Sequence, residues 1–523
     1  MQIIVLFAAL IVCVLSLGYV IGECPSACSC DTDSRGRKRV RCDKGGLTIG
    51  PAFDPQKLDK DTLILSISAP KGATNPITLL NADHFKDLNL EEIHIRNTDL
   101  QRIGDRTFFY LSHSLKVLDL TGNKLMFIHE NNFRNLSQLT HLHLDYNQLT
   151  DVHSATFNYQ KILQVLTLSN NQIANIGTRL LLDQQNLEVI DLSGNPIHDI
   201  IPGSQQGAIP ELMFPDAPRL RRASLAQTGI NSLPYHGIAR ACKRLEELDV
   251  SRNSFTTISP GQFNLITSLR RLILAGNPLT SIQPGALANL RLDFLDLSAT
   301  RLPLQASFFE RAMIKSLSIA SNNLQTIDGA AFIPIATDLT SVDVGGNPLT
   351  LKEKMFEFLP NLKGISLPNM RLARLPKNFL AYKHQIRSLN VSNNMFQELD
   401  EEILNALPDL EVLDISQNEI KTLPIQLARP GLRELYANNN QLKKVSDYFV
   451  DVFRATSSKM KVFRVFDNPL ECDWSVGGLA NWVGTSSGRM AVCGPDAGYR
   501  CPVCFGPVNV KGRTIDDIRV TVS

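Results

Sequence analysis

An asparagine returns at nearly constant phase through most of this chain, and that phase restricts the fold more than any other feature. The slot is filled by Asn123, Asn147, Asn171, Asn195, Asn253, Asn277, Asn322, Asn347, Asn394, Asn418, Asn440 and Asn468, with Thr98, Thr228, Thr300 and Met370 in it elsewhere. Most consecutive slots lie 22 to 25 residues apart. Leucine or another apolar residue keeps step with each asparagine, as in Leu115, Leu118, Leu120, Asn123 and Leu125, or Leu139, Leu142, Leu144, Asn147 and Leu149. A single turn of this length cannot bury its own leucines. Stacking turn on turn buries them, and each enclosed leucine gains roughly 1.5 to 3 kcal/mol.

The alternating apolar residues predict one short strand per turn, and the asparagine sits where the chain leaves it. Its amide is placed to bond backbone groups of its own and adjacent turns that would otherwise be buried unpaired. Met370 cannot do this, so its turn is expected to be looser. A second apolar set, such as Ile128, Phe133 and Leu136, or Val152, Phe157 and Ile162, is expected to fill the core behind the strand. Segments such as 129–132 and 259–262 lack strand formers and favour short helical or irregular structure on the outer side. Strands within and wider elements outside predict a curved α/β solenoid with a parallel β-sheet on its concave face. The pattern resembles the leucine-rich repeat, whose period is roughly 20 to 29 residues.

Nine cysteines follow Cys13, and eight fall into two clusters, Cys24, Cys28, Cys30 and Cys42 near one end and Cys472, Cys493, Cys501 and Cys504 near the other. Even sets in an exported chain read as disulfides. The spacing of Cys501 and Cys504 also suits zinc, but export favours disulfides. Export is expected because residues 1–22 resemble a signal peptide, although no Lys or Arg precedes the apolar run, which is long enough to remain as an uncleaved anchor. The ninth, Cys242, reads as a buried apolar filler.

The first cluster resembles the N-terminal cysteine cap of extracellular leucine-rich-repeat proteins such as Slit, decorin and the neurotrophin receptors. That resemblance implies bonds from Cys24 to Cys30 and from Cys28 to Cys42. The stretch from Asn468 through Cys472 to Trp474, with Cys504 to Gly512, partly resembles the family's C-terminal cap, but its cysteine spacing departs from the usual one and leaves the pairing open. The expected organisation is a signal peptide at 1–22, a cysteine cap at 23–61, repeats at 62–470 with a degenerate first turn near Thr62 to Ile67, and a second cap and tail at 471–523.

Lys and Arg total 53 against 51 Asp and Glu, so no bulk field attracts nucleic acid, and electrostatic recognition must be local. No phosphate-binding glycine loop, zinc-protease helix or nucleophile elbow is present, and neither a cofactor nor a metal is expected. The expected role is binding. Residues between the inward leucines should line the concave face, giving a mildly acidic column that includes Asp191, Asp249, Asp296 and Asp343, in which Asp reads first as a solvated strand residue and second as a ligand contact. His94, Asp119, His141, His143, Asp145 and Tyr146 should crowd one patch. Asn135 and Asn390 head N-glycosylation sequons. The insertion containing Pro202 to Pro210 reads as a protruding loop. The expected partner is an extracellular protein or proteoglycan, met by a secreted recognition protein; the alternatives are a matrix component and a tethered receptor ectodomain.

Overall fold

The computed structural model describes residues 24–49, 54–153, 155–176, 184–197, 217–233, 242–380, 383–473, 476–494 and 500–517. The apolar leader, the insertion at Pro202–Pro210, Trp474 and Arg519 lie outside them. The chain divides into two compact units, Met1–Leu245 and Glu246–Ser523.

In the first unit a hairpin, Ser29–Thr32 antiparallel to Lys38–Cys42, starts the sheet. Lys38–Cys42 then runs parallel to Ile64–Ser68, which runs parallel to Glu92–Arg96. The expected first turn near Thr62 thus carries a five-residue strand paired on both sides. Three-residue strands follow, Val117–Asp119, His141–His143, Val165–Thr167, Val189–Asp191 and Arg222–Ser224, each parallel to its neighbours. The second unit repeats the arrangement from Glu247–Asp249 to Val462–Arg464. What the two units define is a parallel β-sheet solenoid with disulfides near both ends.

The asparagine slot explains the regularity. Asn147 Nδ2 donates to Leu120 O and Leu144 O, both at 3.0 Å, while its Oδ1 accepts from Leu125 N at 3.0 Å. Asn171 repeats this with Leu144 O, Leu168 O and Leu149 N. One buried side chain thus satisfies groups on two turns. Threonine does part of the work: Thr300 Oγ1 lies 2.9 Å from both Leu297 O and Asn322 Oδ1. Met370 offers neither bond, yet Asn394 donates to Leu367 O and accepts from Met370 N, so this turn stays in register and lacks only the amide of its own slot.

The residue before each slot has positive φ in every turn, from Asn97 to Asp467. Glycine fills it at 122, 194, 276 and 346, where no Cβ meets the following carbonyl. The core behind the strands is a column of phenylalanines, with ring centroids 6.1 Å apart for Phe133 and Phe157 and 6.2 Å for Phe332 and Phe356. One expectation fails here. Ile162 is exposed, and Leu163 is the residue shut into the core. The outer segment has no fixed period, and the turn closed by Leu163 N to Gln160 O rotates the chain by one residue.

At the N-terminal end the bonds are Cys24–Cys30 and Cys28–Cys42, as the resemblance implies. At the other end the open pairing resolves as Cys472–Cys504 and Cys493–Cys501. Two helices, Gly477–Val483 and Ser486–Val492, cover the last strand. Trp482 stacks on Phe463 at 6.3 Å, and Arg464 reaches the backbone carbonyl of Ala491. A side chain at Gly488 would collide with the Trp482 carbonyl, so the helices meet there only because it is glycine. Cys242 is buried, which raises its thiol to about 12. Among the described residues no helix is long and apolar enough to cross a membrane.

Candidate functional site

Strand alternation sorts the side chains. In His141–His143 the leucine is buried and both histidines face outward, half-buried. Register then sets His94, Asp119, His143 and Thr167 on adjacent strands, with Glu92, Val117 and His141 one step away. His94 and Asp119 on one side, and His141, His143 and Asp145 on the other, fall into two hydrogen-bonded groups.

In the first group Arg96 grips Asp119 through Nε and Nη2. Arg96 Nη2 also lies 3.3 Å from His94 Nδ1, and His94 Nε2 lies 3.4 Å from Glu92 Oε2. His94 Nδ1 also lies 3.6 Å from Asp119 Oδ2, so this nitrogen faces the carboxylate as well as the guanidinium. Asp119 is not the solvated strand residue the column anticipates: it is only 3% exposed. Burial pushes its carboxyl up, but contacts from His94, Thr121 and Arg96 outweigh this and hold it well below the usual range. Glu92 continues into a network with Arg37 Nη1 at 2.6 Å, and Arg37 Nη1 lies 3.3 Å from Glu91.

In the second group Thr167 Oγ1 donates to Asp145 Oδ2, so it accepts from His143 Nδ1 at 2.9 Å. Asp145 Oδ1 accepts from Ser169 N at 2.7 Å. Thr140 Oγ1 donates to Lys116 O and accepts from His141 Nδ1 at 2.9 Å. Both imidazoles are thus oriented with Nδ1 tied to a threonine. Their rings lie 6.3 Å apart, and burial followed by the neighbouring His143 lowers the pKa of His141. Among the described residues no group of three or more His, Cys, Asp or Glu is arranged to hold a metal ion.

Tyr146 occupies the positive-φ slot at φ 52° and is 61% exposed. It is the sole aromatic among the described residues of that slot. A β-region side chain moved to left-handed backbone loses about 1 to 2 kcal/mol, so an exposed tyrosine there is held at a cost to stability.

The acidic column has a different basis. Asp191, Asp249, Asp296 and Asp343 each accept, through Oδ1, the backbone N–H two residues on, at 2.9 Å. Asp119 does the same with Thr121 N at 3.0 Å, and Asn390 with Ser392 N at 2.9 Å. This recurring acid therefore fixes the strand-to-turn transition. Asp343 is additionally pushed up by burial and by Asp296.

Sequence reasoning places Thr167 on the sheet face with His143 but misses Arg96 and Glu92. The signal is present, since Glu92, His94 and Arg96 alternate at period two along a five-residue strand. Asn135 is exposed in a positive-φ turn on the outer side, and Asn390 is half-buried on the sheet face.

The comparisons agree with the fold. The family model described as "Leucine rich repeat" matches residues 88–149, 137–197, 243–302 and 384–442. The chain carries leucine-rich repeats, and its two units are leucine-rich-repeat solenoids. It is 30% identical over 213 residues to "Transforming growth factor beta activator LRRC33" of Danio rerio, covering 37% of this chain and 30% of that protein. It is 27% identical over 250 residues to "Podocan-like protein 1" of Homo sapiens, covering 45% and 46%. The chain thus spans less than half the length of these relatives. The solved structure titled "Crystal structure of TLR13-ssRNA13 complex" aligns with TM-score 0.63 at 20% identity, covering 86% of this chain and 69% of that one.

Proposed function

We propose that the chain is a secreted, non-enzymatic scaffold that binds an extracellular protein through the sheet face of its first unit. The observation carrying this reading is the set of oriented side chains on that face: His141 and His143 each held at Nδ1 by a threonine hydroxyl, and Tyr146 held exposed on left-handed backbone. An exposed tyrosine beside fixed hydrogen-bonding groups suits a protein partner, because tyrosine supplies large contact area at low entropic loss. The apolar N-terminus, the two disulfide-bonded ends and the sequons support an extracellular setting. Carbohydrate on Asn390 would cover part of the second unit's sheet face and leave the first unit's face open. Mass spectrometry of the secreted protein should find hexosamine on Asn135 and Asn390; an unmodified Asn390 removes that element.

The decisive experiment is quantitative affinity capture from an extracellular proteome with the wild type and with His143→Ser/Tyr146→Ser. The reading requires at least one partner whose recovery falls about tenfold with the variant, the loss typical of a residue contributing over 1 kcal/mol. A captured set insensitive to the variant rejects it. A second reading, a matrix component, predicts retention in the insoluble extracellular fraction. An uncleaved N-terminal tether is the third, and N-terminal sequencing that begins near Glu23 would dismiss it.

A further inference from the structure

The residue just before each strand stands at the edge where the sheet face meets the flank, and in the second unit this edge is basic. Its cations are Arg270, Lys315, Lys363, Arg387, Arg433 and Lys461, against the carboxylates Glu246, Asp293 and Glu411 and the neutral Thr340. The equivalent edge of the first unit, Lys38, Leu63, Glu91, Lys116, Thr140, Gln164, Glu188 and Arg221, is closer to balance, with three cations against two carboxylates, and Lys38 is already paired with Asp59 and Asp61.

Backbone bonds hold this row in line. Lys363 O accepts from Arg387 N at 2.7 Å and Ser388 N at 3.0 Å, Arg387 O from Glu411 N at 2.8 Å, and Arg433 O from Lys461 N at 2.7 Å. Arg270 O likewise accepts from Asp293 N at 2.7 Å. Each step along the row is therefore about one strand spacing, ~4.8 Å. Lys315 pairs with Asp293 at 2.7 Å, while Arg387 and Arg433 share Glu411 at 3.4 and 3.2 Å. Lys363 and Lys461 are exposed and have no carboxylate within ion-pair distance among the described residues. Arg270 Nη1 donates to Arg291 O at 3.1 Å, which sets two exposed guanidinium-bearing residues side by side.

The next position inward is small only in the middle of the row, with Glu247, Arg271 and Phe294 before that stretch and Val412, Glu434 and Val462 after it. Ser316, Ser341, Gly364 and Ser388 lie in register beside the cations, and Phe294 is covered by the Arg271 guanidinium at 4.8 Å. We propose that this edge binds a linear sulfated polysaccharide, whose repeated anions run along the row of cations while its hydroxyls meet the serine-lined floor. A row with one net charge every few steps and no deep pocket selects a polymer over a small anion. Single-stranded nucleic acid is disfavoured because it is usually held by exposed aromatic rings on which bases stack, and this floor presents none uncovered.

The test is independent of where the protein resides and of the first unit's partner. Purified full-length protein is passed over immobilised heparin, alongside Lys363→Ser/Lys461→Ser and a charge-matched control, Lys352→Ser/Lys421→Ser, whose lysines are exposed elsewhere in the unit. The edge variant should weaken heparin binding about tenfold and flatten its salt dependence, with the control within about twofold of wild type. Unchanged circular dichroism establishes that both variants fold. Equal losses in both variants, no wild-type binding to heparin, or stronger competition by single-stranded RNA than by heparan sulfate would each overturn the proposal.

Discussion

The sheet face at residues 92–169 and the sheet face at residues 316–392 are built on the same backbone and differ in what covers it. In the first, Glu92, His94, Arg96, Asp119, His143, Thr167 and Asp145 form cross-strand polar chains that fix large side chains in single orientations. In the second, the outward positions are serine and glycine apart from Asp343 and Asn390, and the one sequon on a sheet face lies within it. Both rest on identical asparagine bonds, at Asn171 in one and Asn394 in the other. Stability therefore comes from the inward leucines and the asparagine slot, and the outward residues are free to be selected for contact.

That separation can be broken by mutation, beginning with the frame itself. Asn171→Ala and Asn394→Ala should each destabilise by about 2 to 4 kcal/mol in urea unfolding, since each strands a buried N–H and weakens two carbonyl pairings. Equal costs in the two units support a shared frame; a loss under about 1 kcal/mol in either would refute it. Asp119→Asn should cost about 1 to 2 kcal/mol at pH 7, because Arg96 loses its charged partner. Since the Asp119 carboxyl is held below its ordinary range, its contribution is complete above about pH 4 and fades as pH falls further, so wild type and variant should converge in acid.

Asp343→Asn is the opposite case. Burial and Asp296 raise this carboxyl, so stability is lost as pH rises from the unfolded carboxyl's pKa to the raised folded one and the cost is complete above it, while an amide keeps the bond to Gly345 N as Asn390 does to Ser392 N. The substitution should raise stability by up to about 1 kcal/mol at pH 7, an advantage that vanishes in acid; calorimetry across pH reads both signs. Tyr146→Gly should likewise gain up to about 1 kcal/mol by relieving left-handed backbone while abolishing partner capture, and a stability loss would show that the tyrosine serves the fold instead. The smallest effect is expected for Met370→Asn, about 0.5 to 1 kcal/mol of added stability from restoring the missing amide.

The fold was largely legible because its cause is periodic. A fixed Asn phase demands the same pairings in every turn, so Asn147 and Asn171 could be assigned both their own and adjacent carbonyls before any geometry was known. Ile162 escaped because the outer segment obeys no period and one tight turn changes which residue points inward. Pairing in the second cysteine cluster depends on how the helices 477–483 and 486–492 fold back, which spacing does not encode. At the candidate site, alternation predicted which residues face outward, yet not that Asp119 is buried under Arg96 or that the recurring aspartate caps the turn two residues on. Those outcomes depend on cross-strand neighbours about 24 residues away in sequence, a local hydrogen-bond choice that one-strand reasoning cannot make.

Hydrogen–deuterium exchange of the protein with and without a captured partner tests the central claim most directly. Backbone protection gained on binding should concentrate in peptides covering 92–96, 117–121, 141–146 and 165–169. Protection confined to 316–318, 341–343 and 364–366, with the first unit's strands unchanged, would place recognition on the other face and contradict the account.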